Sequence, residues 1–132
     1  MLMTRGELAK RCGVNPETIR FYERSGLLTE PQRSDAGYRL FDENAAERLH
    51  FVRRAQAAGF TLDEIKTLLD IQYEPDATCG DVRSLTEHKI AQIDERIRLL
   101  TSMREMLVDL IEVCPGGERP LDECPILDSF AG

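Results

Sequence analysis

No uninterrupted apolar stretch in this chain approaches the roughly 18 residues that a membrane-spanning helix requires, so no membrane span is expected. The opening segment, MLMTRGELAKRCG, lacks the apolar core and cleavage site of a secretory signal, and the expected location is the cytoplasm. Internal repeats and low-complexity tracts are also missing. There are only 2 histidines, His50 and His88, and neither stands in a pattern with a serine or cysteine that would make a nucleophile. Paired catalytic acids and a glycine-rich phosphate loop are lacking as well, so an enzyme is not expected. The 4 cysteines, in a reducing compartment, are expected to be thiols and not disulfides.

What is there describes a soluble folded chain of 132 residues, 42% hydrophobic and 31% charged, long enough for one domain or a small domain with an appendage. The net charge of −7 is unevenly divided. Residues 1–54 carry 10 lysines and arginines against 8 carboxylates, a net of +2, whereas residues 55–132 carry 7 against 16, a net of −9. The basic excess is confined to the N-terminal part, which suits a local phosphate-contacting surface.

The N-terminal pattern is helical and punctuated. Thr4, with Glu7 three residues on, makes a capping-box signal for a first helix ended by Gly13. Asn15 and Pro16 cap and open a second helix that runs to about Arg24 and stops at Gly26. Two short helices about a tight glycine turn predict a helix-turn-helix, with Val14, Ile19, Phe21 and Leu27 as its small core. Pro31 and the Ser34-Asp35-Ala36-Gly37 cluster signal turns, and the flanks Leu28-Thr29 and Tyr38–Phe41 predict a two-stranded wing. Asp42 caps a helix to about Ala58, and Thr61 another to about Ile71.

Thr18, Arg20 and Tyr22 fall on or near one face of the second helix. Arg20 suits a base edge or a phosphate, and Thr18 and Tyr22 suit phosphates. Tyr38 and Arg39 would track a backbone from the wing, with Arg33 assisting.

From Asp81 to Val113 there is neither glycine nor proline, and Ile90, Ile93, Ile97, Leu100, Met103, Leu107 and Leu110 recur at three- and four-residue steps. Such a helix cannot bury its stripe within so small a monomer, so a partner helix is implied. At about 1.5 Å per residue it spans on the order of 50 Å, which separates Cys79 from Cys114 of the same chain. In an antiparallel pair, Cys79 meets Cys114 of the second chain. The loop from Pro115 to Glu123 lets Cys124 fold back toward Cys114. Soft thiolates at such an interface suit a soft metal ion; the alternative is that Cys79 and Cys114 are small buried hydrophobes and Cys124 is incidental. Cys12 reads as packing.

The run Gly13 to Glu23, followed by Gly26-Leu27-Leu28, and Gly37-Tyr38-Arg39 in the wing, resembles the MerR family of transcriptional regulators. The likeness extends around Cys79, through Ser84-Leu85 and Glu87-His88-Lys89, to Cys124-Pro125-Ile126. The resemblance implies a mainly α fold, a winged helix-turn-helix with a long antiparallel coiled-coil dimerisation helix. It implies a homodimer on double-stranded promoter DNA, whose distortion by the effector-bound protein realigns the promoter for RNA polymerase.

On that reading residues 1–71 form the DNA-binding domain, 72–80 a linker loop, 81–113 the dimerisation helix, and 114–132 the metal-binding loop and C-terminal helix. Cys79, Cys114 and Cys124 are the expected metal ligands. A cysteine at position 79 argues for a divalent ion, since copper-group sensors of the family have another residue type there. Three thiolates without nitrogen suit Hg(II) or Pb(II), with Hg(II) favoured. Zn(II) or Cd(II) stay open, with Glu118, Asp122 or Glu123 adding an oxygen. A metal-buffer protein with a DNA-binding head and a constitutive DNA-binding protein stapled by zinc are the rival readings.

Overall fold

The structure is a computed structural model, and it describes residues 1–132 except Glu30. The chain is mainly helical and divides into two compact units, Met1–Val82 and Arg83–Gly132.

In the first unit, α1 (Arg5–Cys12) and α2 (Pro16–Arg24) form the helix-turn-helix. Thr4 caps α1 in a capping box with Glu7, and Gly13 ends it at φ 70°, a left-handed conformation that glycine adopts without steric cost. Asn15 accepts from the Thr18 N–H, and Pro16 takes the first helical position, where its missing N–H costs nothing. Two further helices, α3 (Glu43–Ala57) and α4 (Leu62–Ile71), begin at Asp42 and at a Thr61–Glu64 capping box. α1 packs on α2 and α3, and α3 on α4, around a core in which Leu8, Ile19, Leu27, Phe41, Leu49 and Ile65 are fully buried. No helix among the described residues is long and apolar enough to cross a membrane.

The wing departs from its expected register. Its strands are β1 (Gln32–Arg33) and β2 (Arg39–Leu40), antiparallel, pairing Gln32 with Leu40 and Arg33 with Arg39. Leu28 is not a strand residue: it is buried, and its N–H donates to Tyr22 O, so it belongs to the core that closes α2. The tight turn sets the register. Ser34 N–H donates to Tyr38 O at 2.7 Å, and Gly37 sits at φ 84°. Met3 adds an isolated bridge to Phe41, which pins the chain start beside the end of β2.

The long helix, α5, runs Cys79–Val113 over 35 residues. It starts two residues before the expected Asp81, because Asp81 Oδ2 accepts from the Thr78 N–H at 2.9 Å, tying the helix start back to Thr78. The loop expected over 72–80 therefore shortens, and Cys79 becomes the first helical residue. In the second unit the apolar stripe of α5 is open. Leu100 is 61% exposed, and Ile90, Ile97, Met103 and Leu107 are exposed with it. The stripe is wider than the heptad seam, since Leu99, Met106, Val108 and Ile111 are exposed too. Beyond α5, a 3-10 turn at Leu121–Glu123 leads into α6 (Pro125–Ala131), with Cys124 at its cap position and Pro125 first in the helix.

Candidate metal centre and nucleic-acid interface

The DNA-facing candidates lie on α2 and the wing, all within the first unit. Arg20 is exposed on α2 and pairs with Glu17 one turn earlier, Nη1 to Oε1 at 3.3 Å. A surface pair of this kind is weak and readily exchanged for another anion. Thr18 is half-buried, and its hydroxyl donates to the capping Asn15 Oδ1 at 3.2 Å. On the wing, Tyr38 stands 69% exposed. Arg33 is exposed and closes the wing turn by donating to Gly37 O at 3.1 Å. Arg39 is half-buried beside Glu23, to which its Nη1 donates.

Tyr22 is a correction. Expected among the phosphate contacts, it is 5% exposed, and its hydroxyl donates to Gln56 Oε1 at 2.7 Å. Phe21, expected in the core, is 45% exposed. The reason is helix phase. Ile19 and Tyr22 are three residues apart and share the face that packs inward. Phe21 is two residues from Ile19 and points away.

The sequence reading also missed Arg5 and Glu23. Arg5 donates from Nε and Nη2 to Glu23 Oε1 at 3.4 and 3.3 Å, so Glu23 lies between Arg5 and Arg39. The residues are 18 and 16 positions apart, and no local pattern signals such a contact.

All four cysteines are free thiols. Cys12 is half-buried and packs against the core of the first unit, and burial pushes its thiol above the ordinary value, which disfavours the thiolate a metal needs. Cys79, Cys114 and Cys124 are free thiols. Cys79 is exposed, as the first residue of α5. Cys114 immediately follows the helix and donates its N–H to Leu110 O at 3.1 Å. Gly116 and Gly117, both left-handed at φ 67° and 68°, turn the chain after Cys114, and Cys124 follows at the cap of α6. The Cys124 side chain caps no helix N–H, so its sulfur is not engaged there.

Cys79 and Cys114 thus stand at opposite ends of one helix whose 35 residues, at about 1.5 Å each, cover on the order of 50 Å. Within the chain, no three histidine, cysteine or carboxylate side chains converge among the described residues. The donor set itself is chemically suited to a thiophilic ion: three thiols, none consumed by a disulfide. His88 is exposed, with a ring nitrogen 3.4 Å from Gln92 Nε2.

A family model described as "MerR HTH family regulatory protein" matches residues 3–71, and one described as "MerR, DNA binding" matches residues 46–110. The chain is 46% identical over 125 residues to the mercuric resistance operon regulatory protein of Bacillus cereus, covering 95% of this chain and 94% of that protein. Among solved structures it is similar to the transcription regulator PbrR691 from Ralstonia metallidurans CH34 in complex with lead(II). That match has a TM-score of 0.86 and 41% identity, over 97% of this chain and 98% of that one. It is similar as well to the dual-function regulator MerR from Bacillus megaterium MB1 in complex with mercury(II). There the TM-score is 0.74 and the identity 42%, over 96% of this chain and 98% of that one.

Proposed function

The chain belongs to the MerR family of helix-turn-helix regulators, which are not enzymes, and from that premise we propose that it is a heavy-metal-responsive transcriptional regulator. It acts in the cytoplasm as a homodimer on double-stranded promoter DNA. Arg20 and Thr18 of α2, with Arg33, Tyr38 and Arg39 of the wing, meet the duplex. The exposed apolar stripe of α5 is the surface on which the two chains join, because a stripe this long is unfavourable in water until a second helix covers it.

The effector is a thiophilic divalent ion, Hg(II) in the first place. Cys79 of one subunit, with Cys114 and Cys124 of the partner subunit, would hold it, and the bound ion supplies a cross-link between the two chains. The observation that carries this reading is the position of Cys79 and Cys114, free thiols at the two ends of α5, which an antiparallel pair would bring together twice per dimer, with the free thiol of Cys124 ten residues further along the chain. Closing that link biases how the DNA-binding units present themselves to the promoter. The resulting distortion of the duplex, a matter of a few kcal/mol, aligns the promoter for RNA polymerase.

The similarity to the mercuric resistance regulator supports Hg(II). The likeness to a lead-bound regulator favours Pb(II) as the second choice. Zn(II) or Cd(II) would draw on Glu118, Asp122 or Glu123, all exposed in the same C-terminal segment.

The test is transcription in vitro from the protein's own promoter, with footprinting on the same fragment. Occupancy without metal, and a rise in transcript when Hg(II) is added, support the switch. A footprint with no metal-dependent change in transcript contradicts it. Metal uptake without any footprint points to a metal buffer, and unfolding on metal removal points to a structural staple.

A further inference from the structure

The strongest feature that the proposed function leaves unused is Glu23. Its side chain is only 9% exposed, and it faces two guanidinium groups. Arg5, from the first turn of α1, puts Nε and Nη2 on Oε1 at 3.4 and 3.3 Å. Arg39, from β2, puts Nη1 on Oε2. One carboxylate between two cations leaves the cluster with a net positive charge of one. A guanidinium carries five N–H donors in a rigid fork, and Glu23 takes only part of each set.

Both arginines line a cleft of about 340 Å³ between the start of α1 and the wing, completed by Thr4, Gly6, Gly37 and Tyr38. Two of its lining residues have no side chain, which leaves room for a large anion. A Cβ at Gly37 would meet nothing within 4 Å, and one at Gly6 would approach only Thr4 Oγ1, at 4.0 Å. Tyr38, itself exposed, lines the same cleft. A cluster needed only to satisfy a buried carboxylate is complete with one arginine. The second arginine adds an unneutralised charge, planar donors and an opening to solvent, the chemistry that selects a phosphate.

We propose that this cleft seats a phosphate of the DNA backbone. Arg5 and Arg39 are the contacting groups, and Glu23 is the positioning residue that holds both forks toward it. The proposal rests on the reading of the chain as a DNA-binding regulator. It adds Arg5 to the interface and gives a reason for a negative charge next to it. Because α1, α2 and the wing all reach Glu23, the carboxylate also fixes the wing to the helix-turn-helix.

The experiment is fluorescence anisotropy of the full-length dimer on its promoter duplex and on an unrelated duplex, across a range of salt concentrations. Arg5→Gln keeps a donor for Glu23 and so protects the fold, which thermal unfolding checks, but it removes the charge. It should weaken binding to both duplexes alike and reduce the slope of log affinity against log salt by roughly one per subunit. Glu23→Gln should weaken binding by about three- to tenfold, although it makes the protein one charge more positive per subunit. An unchanged salt slope in Arg5→Gln, with the parent protein binding normally, overturns the phosphate seat. Tighter binding by Glu23→Gln overturns its positioning role, since the carboxylate would then be only a repulsive charge. Failure of the parent protein to bind either duplex removes the DNA reading itself and the proposal with it.

Discussion

The hydroxyl of Tyr22 donates to Gln56 Oε1 at 2.7 Å, and this bond joins the second helix of the helix-turn-helix to the C-terminal end of α3. Helix phase puts Tyr22 on the inward face of α2 with Ile19 and Phe21 at the surface, and the bond satisfies the buried hydroxyl. Tyr22→Phe keeps the buried ring and removes one hydrogen bond. Thermal unfolding of the apo dimer should report a loss of about 1 kcal/mol. Promoter affinity and its salt dependence should not change. A weaker complex with unaltered stability would return Tyr22 to the DNA surface.

Cys12 is the thiol packed against the core of the first unit, apart from the three proposed ligands. Its value is raised, chiefly by burial, with Arg11 and Arg53 acting in the opposite direction. A raised group contributes stability that is complete below its ordinary value, about 8.5, and lost as pH climbs through the native one. Cys12→Ala should therefore flatten the alkaline limb of melting temperature against pH, with metal stoichiometry unchanged. Loss of bound metal in this variant would place Cys12 among the ligands.

Two carboxyls contribute to the acid limb. The Arg11 guanidinium, hydrogen-bonded at 2.6 Å, holds the Glu43 carboxyl below its usual range. The Thr4 backbone N–H does the same for Glu7 in the capping box of α1. A depressed carboxyl contributes stability above its unfolded value, about 4.3, and that contribution disappears as pH falls through the native value. Melting temperature measured from pH 3 to 7 should fall less steeply in acid for Glu7→Gln and Glu43→Gln than for the parent. Identical acid limbs would mean that neither contact persists in solution. Both groups are exposed, so salt should shrink the Glu43 effect.

The open stripe on α5 carries a prediction about assembly. Leu107 is exposed on the seam, and a charge there would be buried in the proposed helix pair. Sedimentation of Leu107→Glu should report a monomer or a much weaker dimer. The helix caps of the first unit lie in a different compact unit and should be unaffected. A dimer of undiminished strength would move the interface off this stripe.

The local parts of this architecture were legible in the residues because their causes are local. Thr4 with Glu7, Asn15 with Pro16, Asp42, and Thr61 with Glu64 each announce a helix start, and each one caps a helix in the structure. Gly13 and Gly26 stop helices where a positive φ is required. The misreadings arise from tertiary packing and from short-range contacts that spacing alone does not reveal. Leu28 is drawn into the core by the turn after α2, which moves the first wing strand to Gln32–Arg33. Tyr22 shares the inward face of α2 with Ile19, and its hydroxyl finds a partner in Gln56, 34 residues away. Asp81 reaches back to Thr78 and brings Cys79 into the helix. Glu23 between Arg5 and Arg39 depends on three elements converging, and no spacing rule anticipates it. The separation of Cys79 from Cys114 was legible by the opposite route, because a gap-free helix of known rise keeps them apart whatever the packing.

Each proposed metal site is built from two chains, and mixed dimers test this. Cys79→Ser and Cys114→Ser homodimers are each titrated with Hg(II) against a competing thiol, then mixed, exchanged and titrated again. In a mixed dimer, the chain that keeps Cys79 faces a partner that keeps Cys114 and Cys124. One intact site is therefore regenerated and the other is doubly broken. Neither homodimer should bind the ion as tightly as the parent, and the mixed dimer should recover half of the parent stoichiometry. If mixing recovers nothing, or if the Cys79→Ser homodimer binds as the parent does, the metal site is not shared between subunits.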